Sequence, residues 1–180
     1  MKKIILIAVV MVVALSTGKS FGQVTRTVNL NITLSDVLEM TVNQDGAMTM
    51  NFDNTTKYSN GIQFTAVNQI VVRSSKGYVV TAVEGTITGT SVLPSGSVKI
   101  LPTVATANNG NTTGLVPAAS EQTLLPGGIT VITAANSSWN GANASNTFDV
   151  AYNVGSNGVF ANKLTATNNV IPVVYTATQP

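Results

Sequence analysis

Residues 61–83 read GIQFTAVNQIVVRSSKGYVVTAV, and this stretch decides the fold. The break at SKG, residues 75–77, predicts a three-residue hairpin loop in which Gly77 takes the left-handed conformation. Such a loop would set Ser74 opposite Tyr78 and bring all the even-numbered apolar residues to one face. Those residues alternate with mostly polar neighbours, as in half-buried strands: Ile62, Phe64, Ala66, Ile70, Val72, Tyr78, Val80 and Ala82. The stretch therefore predicts an antiparallel β protein.

Composition agrees with an all-β protein. The sequence has 25 Thr, a β-branched residue that suits strands, and 19 Asn, a residue that suits turns. Charged residues make up only 9% of the chain, against about 25% in a typical soluble domain. There is no Cys, so disulfides cannot contribute and the core has to hold the fold unaided.

The N-terminus has the pattern of a secretory leader. A basic start at Lys2 and Lys3 precedes an apolar run of 12 residues, and small residues at Ser20 and Gly22 predict cleavage after Gly22. The run is too short to cross about 30 Å of hydrocarbon, which disfavours a membrane anchor. We therefore expect residues 1–22 to be a signal peptide, residues 23–180 to be the secreted domain, and no membrane span to remain after cleavage.

Charge excludes one class of partner. Without the leader the chain keeps six basic and seven acidic residues, and its two arginines, Arg26 and Arg73, are far apart in sequence. A nucleic-acid-binding surface requires clustered Lys and Arg side chains. We therefore expect no nucleic-acid partner.

The rest of the chain predicts about nine strands separated by turns every 8–15 residues. Residues 24–34 alternate as a long first strand, residues 38–42 and 48–52 as shorter ones, and a strand from residue 98 is expected to stop at Pro102. Residues 170–178 close the chain. No segment has helical periodicity over ten residues and no repeat occurs, so we predict one antiparallel β-sandwich of the immunoglobulin-like kind.

Residue types for catalysis are scarce. The chain has neither His nor Cys, which removes His-activated nucleophiles and nitrogen or sulfur metal ligands. A glycosidase would need two facing carboxylates, but the acids fall in turns, loops and polar strand faces, and no calcium-loop spacing is present. We expect no enzyme, no catalytic residue, no metal and no cofactor.

Two aromatic residues in expected loops are candidates for ligand contact. Trp139 lies in the segment SSWNG and Tyr58 in the polar connection of residues 53–60. Trp139 suits stacking on a sugar ring; the alternative is a Trp that plugs one end of the sandwich. The sequence thus keeps open a secreted carbohydrate- or surface-binding module.

The terminal strands carry a resemblance. The chain resembles the pilin subunits of Gram-negative surface fibres and the related spore-coat-U-like secreted domains in its leader, its Thr/Asn-rich composition and its alternating N-terminal segment. In that family the N-terminal segment is inserted into a neighbouring subunit. The matching residues are Val24, Val28, Leu30, Ile32 and Leu34 of the arm, with Val173 and Tyr175 in the closing strand.

The resemblance implies a structural subunit of an extracellular fibre or surface layer that assembles by terminal strand addition. It also implies a periplasmic chaperone, an outer-membrane assembly factor and location at the cell surface. Departures are the missing disulfide, the absence of a Gly in the middle of the arm, and the distance of Tyr175 from the C-terminus. The arm, residues 23–34, is either donated to a neighbour or kept as the first strand of its own sandwich.

Overall fold

The computed structural model describes residues 26–44, 46, 48–89, 93–141, 143–161, 163 and 168–180. It divides the chain into two units, Met1–Leu34 and Ser35–Pro180. The expected leader and Val24 lie outside the described residues. The strands of the described residues all lie in the second unit, whose first strand begins at Leu38.

Two antiparallel sheets form the second unit. The described residues contain eleven strands: β1 (Leu38–Val42), β2 (Ile62–Ser74), β3 (Tyr78–Glu84), β4 (Thr88–Gly89), β5 (Val98–Val104), β6 (Leu115–Pro117), β7 (Gln122–Thr123), β8 (Ile129–Ala134), β9 (Asn146–Val154), β10 (Asn169–Val170) and β11 (Val173–Thr178). The first sheet has the spatial order β1–β2–β9–β5–β7, and the second has the order β11–β3–β8–β6. A two-stranded ribbon pairs β4 with β10.

The fold class predicted from the sequence is confirmed: the second unit is an all-β antiparallel sandwich. The described residues contain eleven strands rather than about nine, because two predicted strands are not formed there and four short strands, β4, β6, β7 and β10, have only two or three residues and carry no readable alternation. Both sheets contribute to one apolar core. Its fully buried side chains come from the inward faces of β2, β3, β5, β8 and β9 and include Ile70, Val72, Tyr78, Val80, Ile100, Ile132, Phe148 and Val150.

The predicted hairpin around Gly77 is wrong. β2 pairs with β1 and β9 in the first sheet, whereas β3 pairs with β11 and β8 in the second. Residues 75–77 therefore carry the chain from one sheet to the other, and Ser74 does not pair with Tyr78. From Ala66 onward both strands still bury their even-numbered apolar side chains, because these face each other across the sandwich. The prediction is wrong for Phe64, which is 39% exposed near the start of β2.

Gly77 has a different role from the predicted one. Its φ is not positive, so the left-handed conformation is not the reason for glycine here. A Cβ at this position would lie 2.7 Å from the carbonyl oxygen of Ala134 and 2.8 Å from that of Ala135. The glycine is therefore explained by the close approach of the crossing segment to the end of β8.

Three other local predictions fail. The described part of the first predicted strand, residues 26–34, is not in a strand, and neither are residues 48–52. The polar connection before Gly61 contains a short helix, α1 (Thr55–Asn60). Asn54 caps that helix, since its Oδ1 accepts a hydrogen bond from the Lys57 backbone N–H at 3.0 Å. A six-residue helix is too short to show helical periodicity in the sequence.

The strand expected to stop at Pro102 continues to Val104. Its neighbour β7 pairs only with Lys99 and Ile100, so β5 is a sheet edge from Leu101 onward. Proline lacks a backbone N–H and is tolerated in a strand where no partner needs that group. Pro102 therefore fits inside the strand.

An irregularity in β2 brings a polar side chain into the core. The pairing with β9 shifts between Ala66 and Ile70, and Asn68 has a positive φ of 53° there. The Asp149 carboxylate accepts a hydrogen bond of 2.7 Å from the backbone N–H of Asn68 and so holds the shift. As a result Gln69 is buried, with 2% of its surface exposed.

The helices of the described residues are too short and polar to cross a membrane.

Candidate functional site

The described part of the arm carries four exposed apolar side chains. Residues 26–34 have no regular secondary structure. The side chains at every second position from residue 28 are between 77% and 90% exposed: Val28, Leu30, Ile32 and Leu34. In an extended backbone, positions two apart project from the same face. The segment can therefore present an apolar face if it pairs with a sheet.

Two long edge strands lie on the same side of the sandwich. β1 is an outer strand of the first sheet and β11 is an outer strand of the second. Gln179, just after β11, donates from Nε2 to the carbonyl oxygen of Val37 at 2.9 Å, just before β1. An edge strand presents backbone N–H and C=O groups that can pair with another strand. This side of the sandwich offers two such edges.

The two candidate residues of the closing strand face their own core. Val173 and Tyr175 are half-buried residues of β11 that pack against the core cluster. The hydroxyl of Tyr152 donates to Oε1 of Gln69 at 2.7 Å, so its single proton is used. The hydroxyl of Tyr175, 2.8 Å from that of Tyr152, is therefore the donor to it. A relay Tyr175–Tyr152–Gln69 links the two sheets.

Burial alters the acidity of three tyrosines. It raises the pKa of Tyr78 to about 12, although Nδ2 of Asn146 donates to the Tyr78 hydroxyl at 2.8 Å. Burial also raises the pKa values of Tyr152 and Tyr175 above the ordinary value, and in Tyr175 the neighbouring Tyr152 adds to the effect. All three hydroxyls are neutral hydrogen-bonding groups of the interior at physiological pH.

Trp139 and Tyr58 lie at opposite ends of the sandwich. Trp139 is 52% exposed, next to Ser138, whose backbone N–H donates to Ser74 at the end of β2. Tyr58 is half-buried in α1, and its ring lies 5.5 Å from that of Phe52. α1 packs near the turn after β9, whereas Trp139 precedes β9, a strand of nine residues and therefore about 26 Å long. The two aromatics cannot contact one small ligand.

Two acidic side chains have structural partners. Glu84 is buried and accepts a hydrogen bond from the Gly96 backbone N–H at 2.9 Å, while Asp149 holds the irregularity in β2. Among the described residues, which exclude Asp45, no group of three or more Asp and Glu side chains is arranged to hold a metal ion.

The described residues on the outer face of the second sheet carry no charge, a feature that could not be recognised before the strands were placed. Inward and outward residues alternate along its strands, and the outward ones are only threonine and valine. The outer face of the first sheet, in contrast, carries charged residues such as Glu39, Arg73 and Lys99. The neutral face consists of Val79, Thr81, Val83, Val116, Thr130, Thr133, Val174, Thr176 and Thr178. Its signal in the sequence is Thr or Val at every outward position of β3 and β11.

Comparison of the chain with models of protein families, with curated proteins and with solved structures found no match.

Proposed function

We propose that this chain is a structural subunit of an extracellular fibre or surface layer, and that it assembles by adding residues 23–34 as a strand to a sheet edge of another copy. The protein is then secreted, its main partner is itself, and its function requires no catalytic residue. The terminal strand addition is the same mode in which extended peptides extend an exposed sheet edge.

The observation that carries the proposal is the exposure of the arm's apolar side chains. Ile32 is 77% exposed and Leu34 is 90% exposed, although large aliphatic residues are usually among the most buried. The core of the described residues starts at Leu38 and includes none of them. Burying one such side chain contributes about 1.5–3 kcal/mol. Burial of several in a neighbouring copy supplies a favourable free energy for assembly.

The edges of the sandwich suit this role by length and position. The described part of the arm, residues 26–34, would span about 30 Å if it were extended. That length exceeds β1, which has five residues, and β11, which has six. One arm can therefore pair along the whole of either edge. Main-chain hydrogen bonds would supply affinity, and the alternate apolar side chains would fix the register.

The neutral outer face of the second sheet supports close packing of subunits. Charged groups are costly to remove from water unless they are paired, and this face has none to remove. The arm, in contrast, is an aggregation hazard before assembly, because alternating apolar residues in an unpaired segment pair readily with other chains. A periplasmic chaperone and an outer-membrane assembly factor are consistent partners for such a subunit.

Truncation tests the proposal. The protein of residues 23–180 should form concentration-dependent oligomers or fibres in size-exclusion chromatography and electron microscopy. A version starting at Ser35 should be a folded monomer that binds a peptide of residues 23–34. If the longer chain remains a monomer at all concentrations, or if the truncated one assembles equally well, strand addition by the arm is wrong.

A matched pair of point variants separates the apolar face of the arm from its backbone. Ile32→Asp places a charge on the apolar face and should weaken assembly at least about tenfold, because the burial of that side chain is worth more than 1.4 kcal/mol. Asn31→Asp adds the same charge to the opposite face and should retain assembly. Sedimentation velocity of the two variants measures the difference; equal weakening would mean that the added charge, rather than the apolar face, is responsible.

A second candidate function rests on Trp139. Its ring is 52% exposed in a loop, which suits a secreted carbohydrate- or surface-binding module. On this hypothesis the 35–180 protein binds a glycan as a monomer, and Trp139→Ala reduces that binding at least about tenfold while far-UV circular dichroism is unchanged. A glycan array with both proteins checks this, and the absence of binding by the unmodified protein would remove the candidate.

A further inference from the structure

The sequence contains four Asn-Gly pairs, at Asn60, Asn109, Asn140 and Asn157. In such a pair the backbone nitrogen of the glycine can attack the side-chain carbonyl carbon of the asparagine, since glycine offers no Cβ to hinder the approach. Attack requires that the peptide can move and that neither group is held by hydrogen bonds or packing. The structure distinguishes the four pairs on these criteria.

Asn60 is held at the end of a helix. The attacking group, the backbone N–H of Gly61, donates to the carbonyl oxygen of Lys57 at 2.8 Å. A Cβ at Gly61 would lie 2.6 Å from the carbonyl oxygen of Val154, so the glycine is packed tightly against β9. Reaction at Asn60 therefore requires local unfolding of α1.

Asn109 is held through its side chain. Its Oδ1 accepts a hydrogen bond of 3.0 Å from the Ser145 backbone N–H, which fixes the amide that would be attacked. The following Gly110 is buried, and a Cβ there would meet Oδ1 of Asn146 and the backbone of Ser145. This pair is held from both sides.

Asn157 is held less firmly than Asn60 and Asn109. It is exposed, but it lies inside the short 3₁₀ turn Ser156–Gly158 with a positive φ of 59°. The carbonyl oxygen of Gly158 accepts a hydrogen bond from the Ala161 backbone N–H at 2.9 Å, and the turn packs against α1. Rearrangement of this pair has to disturb those contacts.

Asn140 is the least firmly held of the four, since the hydrogen bond at this pair among the described residues is a long one, 3.4 Å from the Ala144 backbone N–H to the carbonyl oxygen of Gly141. Asn140 and Gly141 are both exposed, and a Cβ at Gly141 would have no heavy atom within 4 Å. Among the described residues, neither the Asn140 side chain nor the Gly141 backbone nitrogen forms a hydrogen bond. We propose that Asn140 is a site of spontaneous modification, where deamidation converts the asparagine beside Trp139 into aspartate and isoaspartate.

The chemistry needs only water. The Gly141 backbone nitrogen bonds to Cγ of Asn140 and its proton passes through water to Nδ2, the Cγ–Nδ2 bond breaks, and ammonia leaves with a five-membered succinimide remaining. Water then opens either carbonyl of that ring. One opening gives aspartate and the other gives isoaspartate, in which the main chain passes through the former side chain. Each product places a new negative charge next to the exposed ring of Trp139.

Peptide mapping by mass spectrometry tests the proposal. Protein expressed from the full 180-residue sequence is incubated at pH 8 and 37 °C, and deamidation at the four sites is followed over time. Asn140 should react at least about tenfold faster than Asn60, Asn109 and Asn157, because the other three require local opening. In concentrated urea the four rates should become similar, since the fold no longer distinguishes them.

A control variant and the relative rates at the four sites decide whether Asn140 is the site of fast deamidation. A substitution that blocks the fast phase, Asn140→Gln, should leave the slow sites unchanged in the native protein. If Asn157 or another site reacts as fast as Asn140 in the native protein, the assignment to Asn140 is wrong. If Asn140 reacts no faster in the native protein than the held sites do, the loop is restrained and the proposal fails as well.

Discussion

The free energy of unfolding should fall steeply above pH 10. Burial raises the pKa of Tyr78 to about 12 and raises the pKa values of Tyr152 and Tyr175 as well. Between the unfolded-state pKa near 10 and the folded-state values, the unfolded chain loses protons that the folded protein keeps. Stability that is fully present below pH 10 is therefore lost as the pH rises, by about 1.4 kcal/mol per pH unit for each tyrosine.

Urea denaturation at pH 8, 10, 11 and 11.5 measures this dependence. The variant Tyr78→Phe should show a shallower loss, because one of the three groups no longer titrates. Tyr175→Phe should also be shallower, and its stability at pH 8 should fall by only about 1 kcal/mol, because Tyr152 keeps its hydrogen bond to Gln69. A free energy of unfolding that stays constant from pH 9 to pH 11.5 would show that the three hydroxyls ionise freely in the folded protein.

Gly77→Ala should destabilise the protein by about 3 kcal/mol. The added Cβ would lie 2.7 and 2.8 Å from two backbone carbonyl oxygens, those of Ala134 and Ala135, and neither can move without disturbing the end of β8. Overpacking of this kind typically costs 1–3 kcal/mol or more. The change also acts directly on the three-residue connection between the sheets.

Gly127→Ala is the matched control. Gly127 has no positive φ, and a Cβ there would meet no heavy atom within 4 Å. Replacement of such a glycine is neutral or stabilises by about 0.4–1 kcal/mol, through the entropy of the unfolded chain. Thermal denaturation of both variants checks the pair. Equal melting temperatures for the two would show that the crossing segment can relax, and would contradict the close approach as the reason for Gly77.

The alternation around Gly77 shows how far the sequence could predict the fold. The period-two alternation correctly predicted the inward apolar side chains of β2 from Ala66 onward and those of β3, and hence a β-sandwich, but it was wrong for Phe64. It could not report whether consecutive strands pair or face each other, because both arrangements bury the same residues. A connection of three residues spans the roughly 10 Å between sheets as readily as it closes a hairpin.

Other features were beyond prediction because their causes are distant in sequence. The relay of Tyr175, Tyr152 and Gln69 depends on a pairing shift in β2 that is held by Asp149, 81 positions after Asn68. The two-residue strands depend on partners distant in sequence, since β7 pairs with β5, and β4 pairs with β10. For the arm, the alternation in the sequence indicated that its apolar side chains could share one face. The strand with which that face would pair stays a proposal.

Contacts made through the neutral threonine and valine face of the second sheet should respond to salt and temperature differently from contacts between charged surfaces. Screening by dissolved ions acts on charges, and this face has none. Contacts between such faces would depend on the release of ordered water, a force that weakens on cooling and is enhanced by excluded solutes such as sulfate. Contacts through this face would thus depend little on the screening of charges at moderate ionic strength, and they would weaken in the cold.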